Sequence, residues 1–200
     1  MVLKRDKYNA AYFGGTETAL RHLAGYSDYL ARHKTWSSEL DLELDDLQEY
    51  IKSFIQTHNI TGNPKVLELG GALGYYAEYA ISQGIRWDVL DVSSWCQTHK
   101  VIPDASFILG DAKTILSTLR KNDYDIIISF RFLECIDLVD VPDLITEMNR
   151  VAKQKQIHII GTNENPGFYT NQPITFWQAQ GFKTGTVLID HSNISEQVVV

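Results

Sequence analysis

The spacing of apolar residues changes character at Pro64. Before it, Leu40, Leu44, Leu47, Ile51, Phe54 and Ile55 recur mostly at three- and four-residue steps, which places them on one face of a helix. The helix is predicted to begin near Glu39 and to end near Asn59, with Gly62 and Pro64 as stop signals. After Pro64, short apolar runs alternate with longer mixed segments. The runs predict strands at 65–69, 86–91, 105–109, 124–130, 156–161 and 183–190, and the segments predict helices at 73–83, 112–121, 140–152 and 172–180. Runs such as Ile126 to Ile128 suit strands buried on both faces, as parallel sheets require. Strand and helix in alternation make a doubly wound α/β fold. A last short run, Gln197-Val198-Val199-Val200, is placed beside 183–190.

Residues 1–36 follow neither period. Tyr8, Tyr12, Phe13, Tyr26, Tyr29 and Trp36 are spaced among Gly14, Gly15 and Gly25, which predicts a partly irregular cap. The reading is a single domain over 1–200, with an N-terminal cap and helix over 1–62 and an α/β core over 63–200.

Composition narrows the function classes. A chain of 200 residues buries a full α/β core without disulfides or metals. No apolar run approaches the roughly 20 residues of a membrane-spanning helix, and the basic residues near the N-terminus precede no apolar stretch, so a cytoplasmic protein without a membrane partner is expected. The net charge of −7 argues against nucleic acid, whose binding rests on a basic face. Cys96 and Cys135 have no metal-ligand spacing and the six histidines are scattered, so no metal is expected.

The chemistry concentrates at Lys65-Val66-Leu67-Glu68-Leu69-Gly70-Gly71-Ala72-Leu73-Gly74, a strand running into a carboxylate and a glycine-rich turn ahead of a helix. Such a turn lets backbone N–H groups approach a ligand at a positive helix end. A dinucleotide fingerprint from Gly70 needs Gly at 72 and 75, where Ala72 and Tyr75 stand. Read as E-x-G-x-G-x-G, Glu68 to Gly74 resembles the first motif of the class I S-adenosylmethionine-dependent methyltransferases, departing from it at Ala72. Later segments agree in order. Trp87 to Ser93 resembles the second strand of that family with its acidic end, and Ser106 to Ala112 the third strand and its acidic turn. Tyr124 to Ile136 is similar to the fourth strand and its L-E-H continuation, with Cys135 in the place of His. Glu147 to Lys153 resembles the helix before strand five. The resemblance spans roughly residues 64–190.

It implies a Rossmann-like, mostly parallel seven-stranded sheet with an antiparallel C-terminal hairpin, and S-adenosylmethionine as cofactor. Gly70, Gly71, Ala72 and Gly74 would lie under its methionine part. Glu68 would face the ammonium, or else be satisfied by loop N–H groups. Asp91, with Val92 beside it, would accept from the ribose hydroxyls, or else cap the helix starting near Ser93. Asp111 would accept from the adenine amine with the Ala112 N–H on a ring nitrogen, or else serve the turn. Phe130 would line the pocket. Arg131 departs from the family, many of whose members carry an acidic residue near that place; by its own chemistry a guanidinium there would engage a carboxylate or phosphate of the acceptor, or else pair with Glu134 or Asp137. Tyr8 to Gly15 resembles a Y-x-x-x-Y-F-x-G opening of some small-molecule and sugar methyltransferases, which folds over the cofactor. Tyr12, His22, His33 and Glu134 are the candidate bases. The expected activity is methyl transfer to a small-molecule acceptor. A non-catalytic S-adenosylmethionine-binding or interaction module, and a protein or nucleic-acid methyltransferase, are the rival readings. Asn165-Pro166-Gly167-Phe168-Tyr169 is read only as a loop beside the pocket.

Overall fold

The computed structural model describes residues 44–162, 170, 172–191 and 197–199. The expected N-terminal cap, with Tyr12, His22 and His33, lies outside these residues, as does the 165–169 loop.

The first helix, α1 (Leu44–Thr57), ends two residues before Asn59, close to the expected end. Asn59 takes a left-handed φ of 50°, its N–H reaches Gln56 O and the Ile60 N–H reaches Ile55 O. That pair of bonds is a Schellman closure, in which Asn stands in for the usual glycine. The chain then alternates β1 (Lys65–Leu69), α2 (Tyr75–Ser82), β2 (Arg86–Asp91), α3 (Ser94–His99), β3 (Phe107–Leu109), α4 (Ala112–Thr118), β4 (Tyr124–Phe130), α5 (Val141–Val151), β5 (Ala152–Ile160), α6 (Ile174–Gln178), β6 (Val187–Asp190) and β7 (Gln197–Val199).

The sheet order is β3-β2-β1-β4-β5-β6-β7. Six of the seven strands, β1 to β6, run parallel. β7 pairs antiparallel with β6, and 192–196 between them lie outside the described residues. Alternate residues of the central strands feed two apolar layers. Val66, Val89, Ile126 and Ile128 pack with Ile51, Phe54, Ala77 and Ala80 of α1 and α2. Leu67, Leu69, Leu90 and Ile127 pack with Leu116, Leu144, Met148 and Trp177 of α4, α5 and α6. Burial on both faces is why these strands carry continuous apolar runs.

One polar thread crosses the second layer. Ser129 Oγ and His158 Nδ1 are 2.8 Å apart, His158 Nε2 is 3.1 Å from Gln156 Oε1, and Gln156 Nε2 donates to Asn149 Oδ1 at 2.7 Å. Asn149 in turn donates to Gly181 O and accepts the Lys183 N–H. Burial holds the His158 imidazole down to a pKa of about 3, so the ring is neutral and acts as one donor and one acceptor.

The winding reverses between β1 and β4, which are neighbours. A doubly wound sheet opens a crevice at the carboxyl ends of its strands at that point. The glycine-rich turn leaves β1 there, and Phe130-Arg131 leave β4.

Candidate functional site

The turn after β1 is shaped by positive φ values at Gly70 (70°), Ala72 (49°) and Gly74 (81°), the last being the N-cap of α2. The Gly70 N–H reaches Leu90 O at 2.8 Å, and the Gly74 N–H closes the turn on Gly71 O at 2.9 Å. Gly71 is needed for another reason. A Cβ there would lie 2.8 Å from the Glu68 carboxyl carbon and 2.9 Å from Val89 Cγ1, so the turn folds tightly over the acid. Above Gly70 lies Phe132, whose Cδ2 would be 2.5 Å from an added Cβ.

Ala72 is the departure noted in the motif, and its methyl group is carried at a left-handed backbone position. For an L-residue with a Cβ that conformation costs about 1–2 kcal/mol, a cost glycine avoids. Ala72→Gly is therefore expected to raise unfolding stability by about 0.5–1 kcal/mol after allowance for the greater freedom of the unfolded chain, and to bind cofactor at least as well. Denaturant unfolding and calorimetry check this; a destabilised variant would show that the Ala72 methyl, 8% exposed, is a packing contact.

Behind the turn sit two buried carboxylates. Asp91 ends β2, and its Oδ2 accepts the Ala72 N–H at 2.9 Å while Oδ1 accepts the Ser93 N–H at 2.8 Å. The helix-cap alternative for Asp91 is corrected: Ser93 caps α3, its Oγ accepting the Cys96 N–H at 3.1 Å. Glu68 Oε2 accepts from Trp87 Nε1 at 2.9 Å, a partner the sequence reading did not name. Burial first of all, and then the Asp91 charge, push the Glu68 carboxyl up to about 7 against the Trp87 bond. Burial likewise raises Asp91, opposed by the N–H groups of Ser93, Ala72 and Val92. Neither acid forms an ion pair among the described residues. Two buried acids are thus held by N–H groups, with no ion-pair partner among the described residues.

Asp111 lies at the end of β3, exposed, and caps α4 through the Thr114 N–H at 3.1 Å. Ala112 turns its side chain into the core. Phe130 joins an aromatic cluster, 4.3 Å between ring centroids from Tyr76 and 5.1 Å from Phe54.

Arg131 breaks the strand with φ 56°. Its Nε donates to Glu134 Oε1 at 2.6 Å, and the same oxygen accepts the Gly161 N–H at 2.9 Å. The pairing foreseen with Glu134 thus forms, but not on an open surface, because the Glu134 side chain is 0% exposed and that of Arg131 is 24% exposed. Burial raises the Glu134 carboxyl while Arg131 and Gly161 pull it down. As a candidate base Glu134 is corrected: it is enclosed and engaged with Arg131, so it serves to hold that guanidinium. Cys135 Sγ lies 3.6 Å from Arg131 O. His191, at the end of β6, was passed over in the sequence. Its N–H reaches Ile160 O at 2.9 Å, and burial and the Arg131 charge lower its imidazole to about 4 against the Asp190 charge. No cluster of metal-binding side chains occurs among the described residues, and none of their helices is long and apolar enough to cross a membrane.

Strand order, switch point, glycine turn and acidic strand ends together are the class I S-adenosylmethionine-dependent methyltransferase fold. Among solved structures, the chain is similar to a SAM dependent methyltransferase from Aquifex aeolicus, with 16% identity and a TM-score of 0.51 over 71% of this chain and 84% of that one. The YcgJ protein from Bacillus subtilis matches at 18% identity and TM-score 0.53 over 65% of this chain and 64% of that one. The [4+2]-cyclase SpnF matches at 14% and 0.52 over 68% and 56%. The chain thus spans less than two thirds of the length of YcgJ and SpnF. No family model matches the sequence, and no curated protein matches it.

Proposed function

We propose that this chain binds S-adenosylmethionine and transfers its methyl group to a small-molecule acceptor. The observation that carries the reading is the pair of buried acids, Glu68 and Asp91, behind the glycine turn, neither with an ion-pair partner among the described residues. A ligand with an ammonium group and a ribose diol fits that donor and charge set. When bound, S-adenosylmethionine supplies a methyl group activated by a sulfonium.

In this reading Glu68 faces the ammonium, Asp91 accepts from the ribose hydroxyls through the lone pairs its backbone bonds leave over, and Asp111 with the Ala112 N–H reads the adenine edge. The turn from Gly70 to Gly74 forms the floor, and Phe130 with Tyr76 lines the side where the acceptor approaches. Methyl transfer is an in-line displacement, so holding two reactants in alignment supplies much of the rate. In this reading the chain works as a single cytoplasmic domain on a small acceptor.

The rival reading is a non-catalytic module; a [4+2]-cyclase also shares the fold, so the fold by itself does not fix the reaction. A protein or nucleic-acid acceptor is the third, disfavoured by the net charge of −7.

Proton linkage tests the cofactor site. With Glu68 titrating at about 7, roughly half of its carboxyl is protonated at neutral pH, and an ammonium favours the ionised form. Binding of S-adenosylhomocysteine should therefore release a fraction of a proton at pH 7 and weaken as pH falls below 7, by up to about tenfold per unit. Calorimetry in two buffers of different ionisation enthalpy reads both. No binding overturns the cofactor reading; binding without proton release removes Glu68 from it. Incubation with methyl-labelled S-adenosylmethionine and a small-molecule extract then separates the enzyme, which labels a small molecule, from the module, which binds without turnover.

A further inference from the structure

The carboxyl ends of β4, β5 and β6 carry a cation built with more care than a surface arginine needs. The Arg131 N–H is fixed to Ile159 O at 2.8 Å, and the residue takes a left-handed backbone turn. Its guanidinium lies against the backbone of Gly161. A Cβ on that glycine would be 2.5 Å from Nη2, 2.6 Å from Nε and 2.7 Å from Cζ. From below, the enclosed Glu134 carboxylate grips Nε, and its Oε2 is buried without a hydrogen-bond partner. Burying a carboxylate with one oxygen unserved is costly, and here the cost holds one guanidinium in one place. His191 stands at the next strand end within reach of the same charge, and Phe130, the residue before Arg131, adds the face of the aromatic cluster.

We propose that Arg131 is the seat for an oxyanion group of the methyl acceptor, a carboxylate or a phosphate, and that Gly161 and Glu134 are positioning residues that fix the guanidinium for it. The proposal rests on the methyl-transfer reading above. A guanidinium recognises either oxyanion through paired N–H groups, a geometry an ammonium lacks. Phe130, the residue before Arg131, and Tyr76, packed on it with ring centroids 4.3 Å apart, suit an acceptor with an aromatic or other flat apolar body.

The test is an NMR titration of the full chain with benzoate, phenyl phosphate and the neutral benzamide, each with and without S-adenosylhomocysteine. Two variants are compared with the wild type. Arg131→Lys keeps the charge and removes the fork. Gly161→Ala keeps every charged group, and the three atoms nearest its new methyl all belong to the Arg131 guanidinium, so the change displaces the guanidinium, with an unfolding curve to show that the variant is folded. Benzoate or phenyl phosphate is expected to bind wild type about tenfold more tightly than benzamide with S-adenosylhomocysteine present, and both variants to lose about that factor with an unchanged cofactor affinity. Whichever anion binds better identifies the oxyanion as carboxylate or phosphate. Equal binding of benzamide, anion binding that Gly161→Ala leaves intact, or no anion binding by a protein that binds S-adenosylhomocysteine overturns the proposal and leaves the cofactor reading standing. Displacement of the anions by S-adenosylhomocysteine overturns it too, because Arg131 would then hold the carboxylate of the cofactor. A protein that binds the anions as expected but not S-adenosylhomocysteine keeps the oxyanion seat and loses the methyl-transfer reading.

Discussion

Arg131→Met is expected to lower the unfolding free energy by about 3 kcal/mol, the low end for breaking a buried ion pair because the guanidinium keeps some contact with water. The loss comes from the partner. Glu134 is fully enclosed, and without Nε on its Oε1 it keeps backbone N–H groups, of Gly161 and of Glu134 itself, but no cation among the described residues. An uncompensated carboxylate in that position must either stay charged at high cost or take up a proton. Neutralising it in the double variant Arg131→Met/Glu134→Gln should recover most of the stability, since the amide oxygen still accepts from Gly161. Denaturant unfolding of the four proteins in the cycle gives the coupling directly. A single-variant loss below about 1 kcal/mol would place the pair among ordinary surface ion pairs.

Asp91→Ala is expected to fail in two ways at once. The carboxylate accepts the N–H groups of Ala72 and Ser93, and its removal leaves both unpaired below the surface, a cost of about 2–4 kcal/mol in unfolding free energy. The same change removes the acceptors proposed for the ribose hydroxyls, weakening S-adenosylhomocysteine by a further 1.5–3 kcal/mol or about that. The first effect arises because Asp91, through its bond to the Ala72 N–H, also ties the glycine turn to β2. Unfolding midpoints read the first effect and calorimetry on folded protein the second. An unchanged midpoint removes the anchor role, and an unchanged affinity removes the ribose role.

Much of the sheet was legible because strands buried on both faces must be apolar throughout, and β1, β2 and β4 fall where their runs lie. β5 begins at Ala152, four residues before the expected 156, since Lys153 and Gln154 are exposed on the strand and carry no apolar signal. The helix α3 has no periodic apolar pattern, because in six residues it buries only Cys96; only the capping alternative for Asp91 pointed to a helix starting near Ser93. At the site, Glu68, Gly70 and Asp91 were visible as a strand end, a turn and a second strand end. What stayed hidden were relations across the sheet. Trp87 reaches Glu68 because β1 and β2 pair in one register, and Gly161 meets Arg131 because β5 lies beside β4. Linear spacing carries neither fact. The left-handed turn at Arg131 was equally silent, since arginine has no preference for it.

The thread from Ser129 through His158 and Gln156 to Asn149 bears on how the chain finds its alignment. Ser129 stands opposite His158 in the pairing of β4 with β5. A slip of one residue would set His158 against Ile128 or Phe130 and turn it and Gln156 toward the wrong layer, stranding polar groups in a dry interior. Apolar strands such as Tyr124–Phe130 and the end of β5 would tolerate many sliding alignments on greasiness alone, and the thread makes one of them unique. Because Asn149 also grips the segment at Gly181 and Lys183, the same key that sets β5 against β4 locks α5 and the approach to β6 into place. The corner where Arg131, Gly161 and His191 meet is assembled from the ends of those three strands, so its geometry is inherited from an alignment fixed deep in the core.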